Sequence, residues 1–364
     1  MNNRIVFHID FDYFFAQCEE VRSPELKTKP VAVCVFSDRG GDSGAIATAN
    51  YIARKYGVKS GIPIKLAKKK LEQRGDAVFL PTDFEYYSDM SEKSMNVIKE
   101  FADIFEYVGR DEAYLDVTKK TDGDFIRAGH IAQQIKNSLR TQVKLTCSIG
   151  ISPNKLISKI ASDYKKPDGL TIVPPEQVEN FLEGLKISAI PGIGKKTAEK
   201  FSEKNFKTIG DLKSIDVFTL NQQFGRKTAT YIYNAVRGIN DEPVKEREPR
   251  IQFSRIVTLK KDSREYFFLE EVLRELCKEL HSTVIKNNKL FKSVGIQFVH
   301  TDLSNKSKTK MLKNPTSNLG ELEKTAKLLL HEALENQTID IRRLGVKVSE
   351  LTELEGQRDI TSFF

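Results

Sequence analysis

The same order of predicted elements, strand, helix, strand, strand, helix, strand, occurs twice in the 364-residue chain, over residues 1–173 and 251–350. The first copy begins with Arg4–Asp10, in which β-forming apolar residues alternate along a short run. This order is typical of a split βαβ domain, whose sheet is covered by helices on one face. The chain is therefore predicted to be an α+β protein of several domains.

A helical region and a linker separate the two copies. Pro174-Pro175 marks a boundary, and residues 176–240 have the pattern of short helices. Asp241–Arg250 consists almost entirely of charged residues and proline, which predicts an extended linker. Within the copies, the predicted helices include Ala45–Tyr56, Tyr86–Phe105, Ile126–Leu139 and Lys155–Asp163, and the predicted strands include Leu145–Ile151 and Thr309–Leu312.

Composition restricts the classes of function. The net charge of +8 and the pI of about 9.0 favour a polyanionic partner. No run of about 18 apolar residues is present, so a membrane span is not expected and a cytoplasmic location is predicted. The histidines form no HExxH pair, which argues against zinc hydrolysis. Sparse cysteines predict buried thiols at Cys18, Cys34, Cys147 and Cys277.

Carboxylates follow predicted strands at two places. Asp10 ends the first strand, and Asp111 and Glu112 lie between two short strands about a hundred residues later. Taken alone, they are strand-end surface acids or ligands for Mg²⁺, which prefers oxygen donors. Adjacent residues of a flat strand face opposite ways, so Asp111 and Glu112 share a site only if the chain turns there, and Gly109 favours such a turn.

The surrounding motifs resemble those of the DinB branch of the Y-family translesion DNA polymerases, in family order along essentially the whole chain. The segments that carry this resemblance are Asp10-Phe11-Asp12-Tyr13-Phe14-Phe15-Ala16, Ala47-Thr48-Ala49-Asn50-Tyr51 with Arg54, Asp111-Glu112-Ala113-Tyr114-Leu115-Asp116, Gly150-Ile151-Ser152-Pro153-Asn154-Lys155, Lys166-Pro167 with Gly169, and Pro191-Gly192-Ile193-Gly194.

The resemblance implies a role for each matched position. Asp10, Asp111 and Glu112 would be the catalytic residues and would bind two Mg²⁺ ions, with the main-chain oxygen of Phe11 as a further ligand. Phe15 would be the steric gate that excludes a ribose 2′-OH, whereas neighbouring Phe14 belongs to the core. The incoming dNTP would be bound by Phe15, Thr48, Tyr51, Arg54 and Lys166.

The chain departs from the family pattern just before the paired acids. The family commonly has a small hydroxyl residue and an apolar residue there, and this chain has Gly109 and Arg110. The departure puts in question the hydrogen bonds that orient Asp111 and Glu112. Arg110 has three possible roles: pairing with a DNA phosphate, pairing with a nearby acid, or remaining solvated.

The resemblance also implies a right-hand polymerase with a ferredoxin-like palm, small fingers, a helical helix-hairpin-helix thumb and a βαββαβ little finger. Small residues at Gly44–Ala47 would leave room above the template base, which predicts translesion synthesis at low fidelity, and the sequence indicates no proofreading domain. A monomer is expected. The implied boundaries are residues 1–10 and 78–173 for the palm, 11–77 for the fingers, 174–240 for the thumb, 241–250 for the linker, 251–350 for the little finger and 351–364 for the tail.

Two regions are predicted to grip primer-template DNA. The segment Ile190–Ala198 has the pattern of a helix-hairpin-helix, in which glycines let the backbone approach a phosphate. The little finger is rich in basic residues that suit phosphate contacts. The predicted DNA-binding residues are Gly192, Gly194, Lys195, Lys196, Lys292, Arg342 and Arg343.

The tail, residues 351–364, ends in two phenylalanines and resembles the peptides that dock on sliding clamps of the PCNA type. Gln357 would precede an apolar plug formed by Ile360, Phe363 and Phe364 on a 3₁₀ turn. The alternative is packing of this segment on the protein itself.

Two other functions compete with the polymerase. A nucleotidyl cyclase uses a similar carboxylate-bearing βαβ domain but leaves the helix-hairpin-helix and the tail unexplained. A non-catalytic DNA-binding scaffold is the second alternative, and the intact set of Asp10, Asp111, Glu112 and Lys166 argues against it.

Overall fold

The computed structural model describes residues 4–246, 249–335 and 338–353. The chain divides into two compact units. Unit 1 comprises Met1–Val35 and Ala45–Arg247, and unit 2 comprises Phe36–Gly44 and Glu248–Phe364.

Strands and helices alternate up to residue 172, and only helices follow from there to residue 246. The elements up to residue 246 are β1 Val6–Phe11, α1 Phe14–Arg22, β2 Val31–Phe36, β3 Gly44–Ala49, α2 Tyr51–Lys55, α3 Ile64–Lys70, β4 Val78–Pro81, α4 Phe84–Lys99, β5 Ile104–Tyr107, β6 Glu112–Asp116, α5 Thr118–Thr121, α6 Phe125–Gln142, β7 Cys147–Ser152, α7 Lys155–Tyr164, β8 Leu170–Ile172, α8 Val178–Glu183, α9 Lys195–Ser202, α10 Ile209–Leu212, α11 Val217–Phe224 and α12 Arg226–Ala235.

A five-stranded sheet in the order β5-β6-β1-β7-β8 forms the centre of unit 1. Strand β1 pairs antiparallel with both β6 and β7. Because side chains alternate along a strand, Phe7 and Ile9 enter the main core with α4 and α6, and His8 and Asp10 face the other side of the sheet. The order of elements expected for the first copy is therefore present in β1, α4, β5, β6, α6 and β7, with β8 added at the edge of the sheet.

Helix α7 packs against β1 and β7 on the side of the sheet that carries Asp10. Gly150 of β7 makes this close approach possible, because a Cβ there would lie 2.0 Å from the carbonyl oxygen of Ser158 and 2.4 Å from the nitrogen of Ser162. The expectation of helices on one face only is therefore wrong. The second face is partly covered, and the covering helix lies beside the acidic residues.

A three-stranded sheet in the order β3-β2-β4 lies next in the chain. The predicted helix Ala45–Tyr56 is wrong over its first half, where β3 forms a strand. Asn50 ends the strand and caps α2, accepting a hydrogen bond from the backbone N–H of Ala53. The alanines favoured a helix by propensity, but hydrogen bonds of Ile46 with the Gly61-Ile62 segment favour the extended chain.

Helix α4 is shorter than predicted. The helix predicted for Tyr86–Phe105 begins at Phe84 and ends at Lys99, and β5 follows. Asp83 starts α4 because its carboxylate accepts from the N–H of Tyr86. The remaining predicted elements of unit 1 appear at α6, β7 and α7 with boundary shifts of a few residues.

Unit 2 contains a four-stranded antiparallel sheet in the order β11-β10-β12-β9. Its described elements are β9 Gln252–Ser263, α13 Tyr266–Lys286, β10 Lys289–His300, β11 Asn305–Thr316, α14 Leu319–Leu334 and β12 Ile341–Glu353. Strand β11 is much longer than the predicted Thr309–Leu312. The two helices share a core with alternate residues of the central strands, such as Ile296 and Val346.

The charged segment before unit 2 has no regular secondary structure from Asp241 to Glu246, as expected for an extended linker. It packs on unit 1 through Val244, which is buried with Val6 and Tyr114. All four cysteines are buried and unbridged, as predicted. In the described segments, no helix has the length and apolar character needed to cross a membrane.

Replacing Gly150 with alanine is predicted to destabilise unit 1. The new Cβ would collide with the backbone of α7, which cannot move aside like a side chain, and overpacking of this kind costs about 1–3 kcal/mol. Thermal unfolding followed by circular dichroism measures the effect. Gly184→Ala is the matched control, because no atom lies within 4 Å of its Cβ position. Equal melting temperatures for the two variants would contradict the close packing of α7.

Candidate active site

The paired strands β1 and β6 bring two of the predicted acids together. Asp10 is the direct cross-strand partner of Glu112, so both side chains lie on the same face of the sheet. Asp111 lies one residue before β6, outside the strand, and its carbonyl accepts from the N–H of Phe11 (2.8 Å). The alternation of side chains ends there, which lets Asp111 approach the same region as its neighbour.

The turn before the acids is closed by backbone hydrogen bonds. The N–H groups of Val108 and Gly109 both donate to the carbonyl of Glu112, at 3.2 and 3.1 Å. Gly109 is not among the glycines with positive φ, and a Cβ there would meet only ordinary contacts. The predicted turn is therefore present, but it does not depend on the conformational freedom of glycine.

Two lysines neutralise the acids in this structure. Lys166 Nζ lies 2.7 Å from Asp10 Oδ1 and 2.7 Å from Asp163 Oδ1. Lys159 Nζ, on α7, lies 2.5 Å from Glu112 Oε2. Within the described residues, no three His, Cys, Asp or Glu side chains converge closely enough to hold a metal ion together. The ammonium groups thus supply the positive charge beside the acids.

The pKa values of the three acids shift in different directions, and burial is the main cause of the two increases. Burial raises the pKa of Asp10 to about 6, although Lys166 opposes the shift. Burial, followed by the charge of Glu112, also raises the pKa of Asp111. The hydrogen bond with His8, and next the contact with Lys159, hold the pKa of Glu112 at about 2. A hard divalent cation would stabilise the ionised form of all three carboxylates, so this set of oxygen donors fits Mg²⁺.

His8 is a site residue that sequence reasoning missed. It is fully buried on the face of β1 that carries Asp10, and its Nε2 lies 3.2 Å from Glu112 Oε2. Its Nδ1 lies 2.7 Å from Ser162 Oγ on α7. Burial lowers the pKa of His8 to about 4, so the ring is neutral at pH 7. The alternation of side chains along β1 could have indicated His8, because it places residues 8 and 10 on one face of the sheet.

Asp12, the second acid of the first motif, has a structural role. It is buried, and its carboxylate accepts from the hydroxyls of Ser148 (2.8 Å) and Thr146 (3.1 Å) and from the N–H of Asp168 (2.8 Å). These bonds hold the loop that follows α7. Asp12 therefore positions the segment from which Lys166 reaches Asp10.

A cavity of about 270 Å³ opens beside the acids. Of the predicted site residues of the first half of the chain, Glu112 alone is not among those that line it. Sequence reasoning gave no role at the site to Tyr13 and Ser60, whereas Ala47 belongs to the segment that it placed above the template base. The residues that line the cavity are Asp10, Phe11, Tyr13, Phe14, Phe15, Ala47, Thr48, Tyr51, Ser60, Arg54, Asp111 and Lys166.

Aromatic rings form one side of this region. Phe15 stacks on Tyr87 with ring centroids 4.5 Å apart, and Phe84 meets it edge-on at 6.0 Å. Phe14 is 3% exposed and belongs to the main core, in agreement with its predicted role. Phe15 thus combines contact with the cavity and support from two rings.

Basic and hydroxyl groups occur on the β3–α2 segment. The guanidinium of Arg54 lies 4.8 Å from the ring centre of Tyr51, and its Nε–H donates to the carbonyl of Ala49 (2.8 Å). These contacts fix the arginine while it lines the cavity.

Arg110 pairs with none of the neighbouring acids. Its Nε–H donates to Ser88 Oγ (3.1 Å), and its guanidinium lies 5.4 Å from the ring centre of Phe84. Of the roles considered, pairing with a nearby acid is therefore wrong for this structure.

The predicted helix-hairpin-helix has the expected local geometry. Gly192 has φ +83°, and Gly194 precedes α9 without any side-chain cap, which leaves the first N–H groups of the helix available. The hydroxyl of Tyr231 donates to the carbonyl of Pro191 (2.5 Å) and ties the hairpin to α12. Lys195 is 91% exposed.

The predicted basic residues of unit 2 are not gathered at one point. Lys292 lies where β10 runs beside the carboxyl end of β12, whereas Arg342 and Arg343 begin β12, with Arg343 opposite Val299. Lys308 donates to the carbonyl of Glu332 on α14 (2.8 Å), so it contacts the helical layer. The residues predicted to bind a clamp lie outside the described residues: Gln357, Ile360, Phe363 and Phe364.

Comparisons with known proteins agree with this geometry. Three family models match: the impB/mucB/samB family over residues 9–163, its C-terminal domain over 250–362, and the thumb domain of DNA polymerase iota over 188–240. The DNA polymerase IV of Nitrosopumilus maritimus is 74% identical over 364 residues and 100% of both chains. That of Saccharolobus solfataricus is 40% identical over 97% of this chain and 98% of its own.

Solved structures give the same result. The Y-family DNA polymerase chimera of Dbh and Dpo4 has a TM-score of 0.89 and 35% identity, covering 96% of this chain and 99% of its own. The insertion ternary complex of Dbh DNA polymerase has a TM-score of 0.69 and 36% identity, covering 95% of this chain and 98% of its own. The predicted fold class is confirmed, and the cyclase and scaffold alternatives find no support. The chain belongs to the Y-family DNA polymerases of the DNA polymerase IV (DinB) group and is a DNA-directed DNA polymerase.

Proposed function

We propose that the chain adds dNTPs to a primer 3′-OH on a DNA template, with the chemistry at Asp10, Asp111 and Glu112. One observation carries this proposal: a single cavity is lined by Asp10 and Asp111 and also by Arg54 and Lys166, which suit a triphosphate. The related Dbh DNA polymerase has been solved as an insertion ternary complex, which supports DNA and a nucleotide as partners.

Two Mg²⁺ ions fit the donors of this site. Asp10, Asp111, Glu112 and the main-chain oxygen of Phe11 are hard oxygen donors, and bound ions would replace the ammonium groups of Lys166 and Lys159, which pair with Asp10 and Glu112 in this structure. When bound, two such ions supply charge to the attacking and leaving oxygens of phosphoryl transfer.

The other residues of the cavity bind and orient the nucleotide. Thr48, Tyr51, Arg54 and Lys166 hold the triphosphate, with the arginine already fixed by its bond to Ala49. Phe15 lies under the sugar and excludes a 2′-OH, because Tyr87 stacks on its ring and supports it.

The predicted domains bind the DNA. We assign residues 1–10 and 78–173 to the palm, 11–77 to the fingers, 174–240 to the thumb and 251–350 to the little finger. The hairpin at Gly192 and Gly194, with Lys195 and Lys196, contacts the backbone of the product duplex, and Lys292, Arg342 and Arg343 contact phosphates from the little finger.

Low fidelity is proposed from the cover of the nascent base pair, and proofreading is not expected because the sequence indicates no domain for it. Ala47 lines the cavity, and the strand that carries it begins at Gly44, so small side chains leave room for a distorted template base. The substrate class is therefore damaged as well as intact template.

Recruitment by a PCNA-type sliding clamp is proposed for the tail through Gln357, Ile360, Phe363 and Phe364.

The enzyme acts as a monomer, because one chain contributes all the proposed site residues. Its place is the cytoplasm, where the DNA of its archaeal relatives lies.

Asp10→Ala and Glu112→Ala are predicted to abolish primer extension with Mg²⁺ and dNTPs. Loss of one carboxylate removes charge stabilisation worth roughly 4 kcal/mol, which lowers kcat by about 1,000-fold. Binding of primer-template, measured by fluorescence anisotropy, should be retained. Asp89→Ala is the matched control, because Asp89 is an exposed acid paired with Lys93. Extension by either active-site variant at the control rate would refute the assignment.

Affinity for Mg²⁺ is predicted to fall at acidic pH. Asp10, whose pKa lies near 6, is protonated below that pH, and each further unit weakens binding by about tenfold because a proton competes with the ion. Glu112, with a pKa near 2, stays ionised in this range. Calorimetric titration with Mg²⁺ between pH 5 and 7 measures the dependence. A flat profile would contradict it, and Asp10→Asn should bind weakly at every pH.

Deletion of residues 357–364 is predicted to remove stimulation by the clamp and to spare basal synthesis. The tail would supply the apolar contacts to the clamp, whereas the described residues that line the cavity lie between Asp10 and Lys166. Primer extension with and without a PCNA-type clamp measures both activities. Phe363→Ala with Phe364→Ala in the full-length chain should reproduce the loss. Equal stimulation of the shortened and intact enzymes would count against this role.

A further inference from the structure

Phe84 is a large apolar side chain beside the proposed steric gate, and its surface position requires an explanation. It is the first residue of α4, is 45% exposed, and meets the ring of Phe15 edge-on. The other supporting ring, Tyr87, is fully buried, and its hydroxyl donates to Glu19 (2.6 Å). Of the two rings that support Phe15, Tyr87 is thus held in the core, whereas Phe84 is partly exposed to solvent.

Arg110 covers this exposed support. Its guanidinium lies 5.4 Å from the ring centre of Phe84, within the range of a cation–π contact. Its Nε–H donates to Ser88 Oγ, and the same hydroxyl donates to the carbonyl of Phe84 (2.7 Å). Arginine, serine and phenylalanine therefore form a closed set of contacts that fixes the first turn of α4.

The position of Arg110 in the chain connects these contacts to the active site. It directly precedes Asp111, in the turn where the sequence departs from the family pattern. The chain of contacts runs from this turn through Phe84 to Phe15, which lines the cavity. Although Arg110 is itself exposed, its bond to Ser88 and its contact with the ring of Phe84 hold its guanidinium at this place.

We propose that Arg110 is a positioning residue for sugar discrimination: it holds Phe84 against Phe15 and so keeps the gate ring where it excludes a ribose 2′-OH. This inference rests on the proposed role of Phe15 as the steric gate. Arg110 touches neither substrate nor reacting atoms in this role, and it acts through Phe84.

The test is single-nucleotide insertion with a dNTP and with the matching rNTP, expressed as the ratio of the two kcat/KM values. Arg110→Ala should lower this ratio by about threefold, the effect of one exposed cation–π contact, while kcat for the dNTP stays near that of the wild type. Phe84→Ala should lower it at least as far. Arg110→Lys should restore most of the ratio, since an ammonium also binds an aromatic face.

Arg74→Ala is the matched control. Its guanidinium lies 5.5 Å from the ring centre of Tyr56, and neither residue lines the cavity, so the ratio should not change. An unchanged ratio in Arg110→Ala would overturn the inference. An equal fall in kcat for both nucleotides would also overturn it, because that result indicates contact with DNA or the reacting groups.

Phe15→Ala separates the two proposals. If this variant accepts rNTPs and Arg110→Ala lowers the ratio no further in its background, the arginine acts through the gate. An additional, independent loss in the double variant would overturn the inference and leave the gate intact. Rejection of rNTPs by Phe15→Ala would overturn the gate itself and the inference with it.

Discussion

The close packing of α7 on β7 places the residues that surround the acids. Gly150 lets the helix backbone approach the strand to a distance that no Cβ would permit. Helix α7 then brings Lys159 to Glu112 and Ser162 to His8, and the loop that follows it delivers Lys166 to Asp10. A wider separation of helix and sheet would leave the acids without these partners.

Electrostatics connects this packing to chemistry. Asp10 and Asp111 have raised pKa values, mainly because the surrounding protein removes water from their carboxylates, and each feels the negative charge of a neighbouring carboxylate. Glu112 differs because His8 and Lys159 stabilise its ionised form. Adjacent carboxylates therefore have opposite pKa shifts, and the environment of each causes the difference. A divalent cation would supply the positive charge that Lys159 and Lys166 provide beside the acids in this structure.

Part of the cavity is lined by elements that the sequence pattern predicted less accurately. Alanines between Ala45 and Ala53 favoured a helix, but cross-strand bonds made the first half of that segment a strand, and the helix starts only after Asn50. Arg110 illustrates the same difficulty. Its partners, Phe84 and Ser88, are more than twenty residues away in the chain, so no local pattern indicated them.

The sequence by itself determined the family and most of the order of elements, and it named candidate site residues, because spaced motifs and period-two alternation are local properties of the chain. Asp10, Phe15 and Lys166 could be named in this way. Only the tertiary structure decided that His8 supports Glu112 and that α7 covers the acidic face. These facts depend on contacts between distant segments, whose distances are set by packing and cannot be read from spacing along the chain.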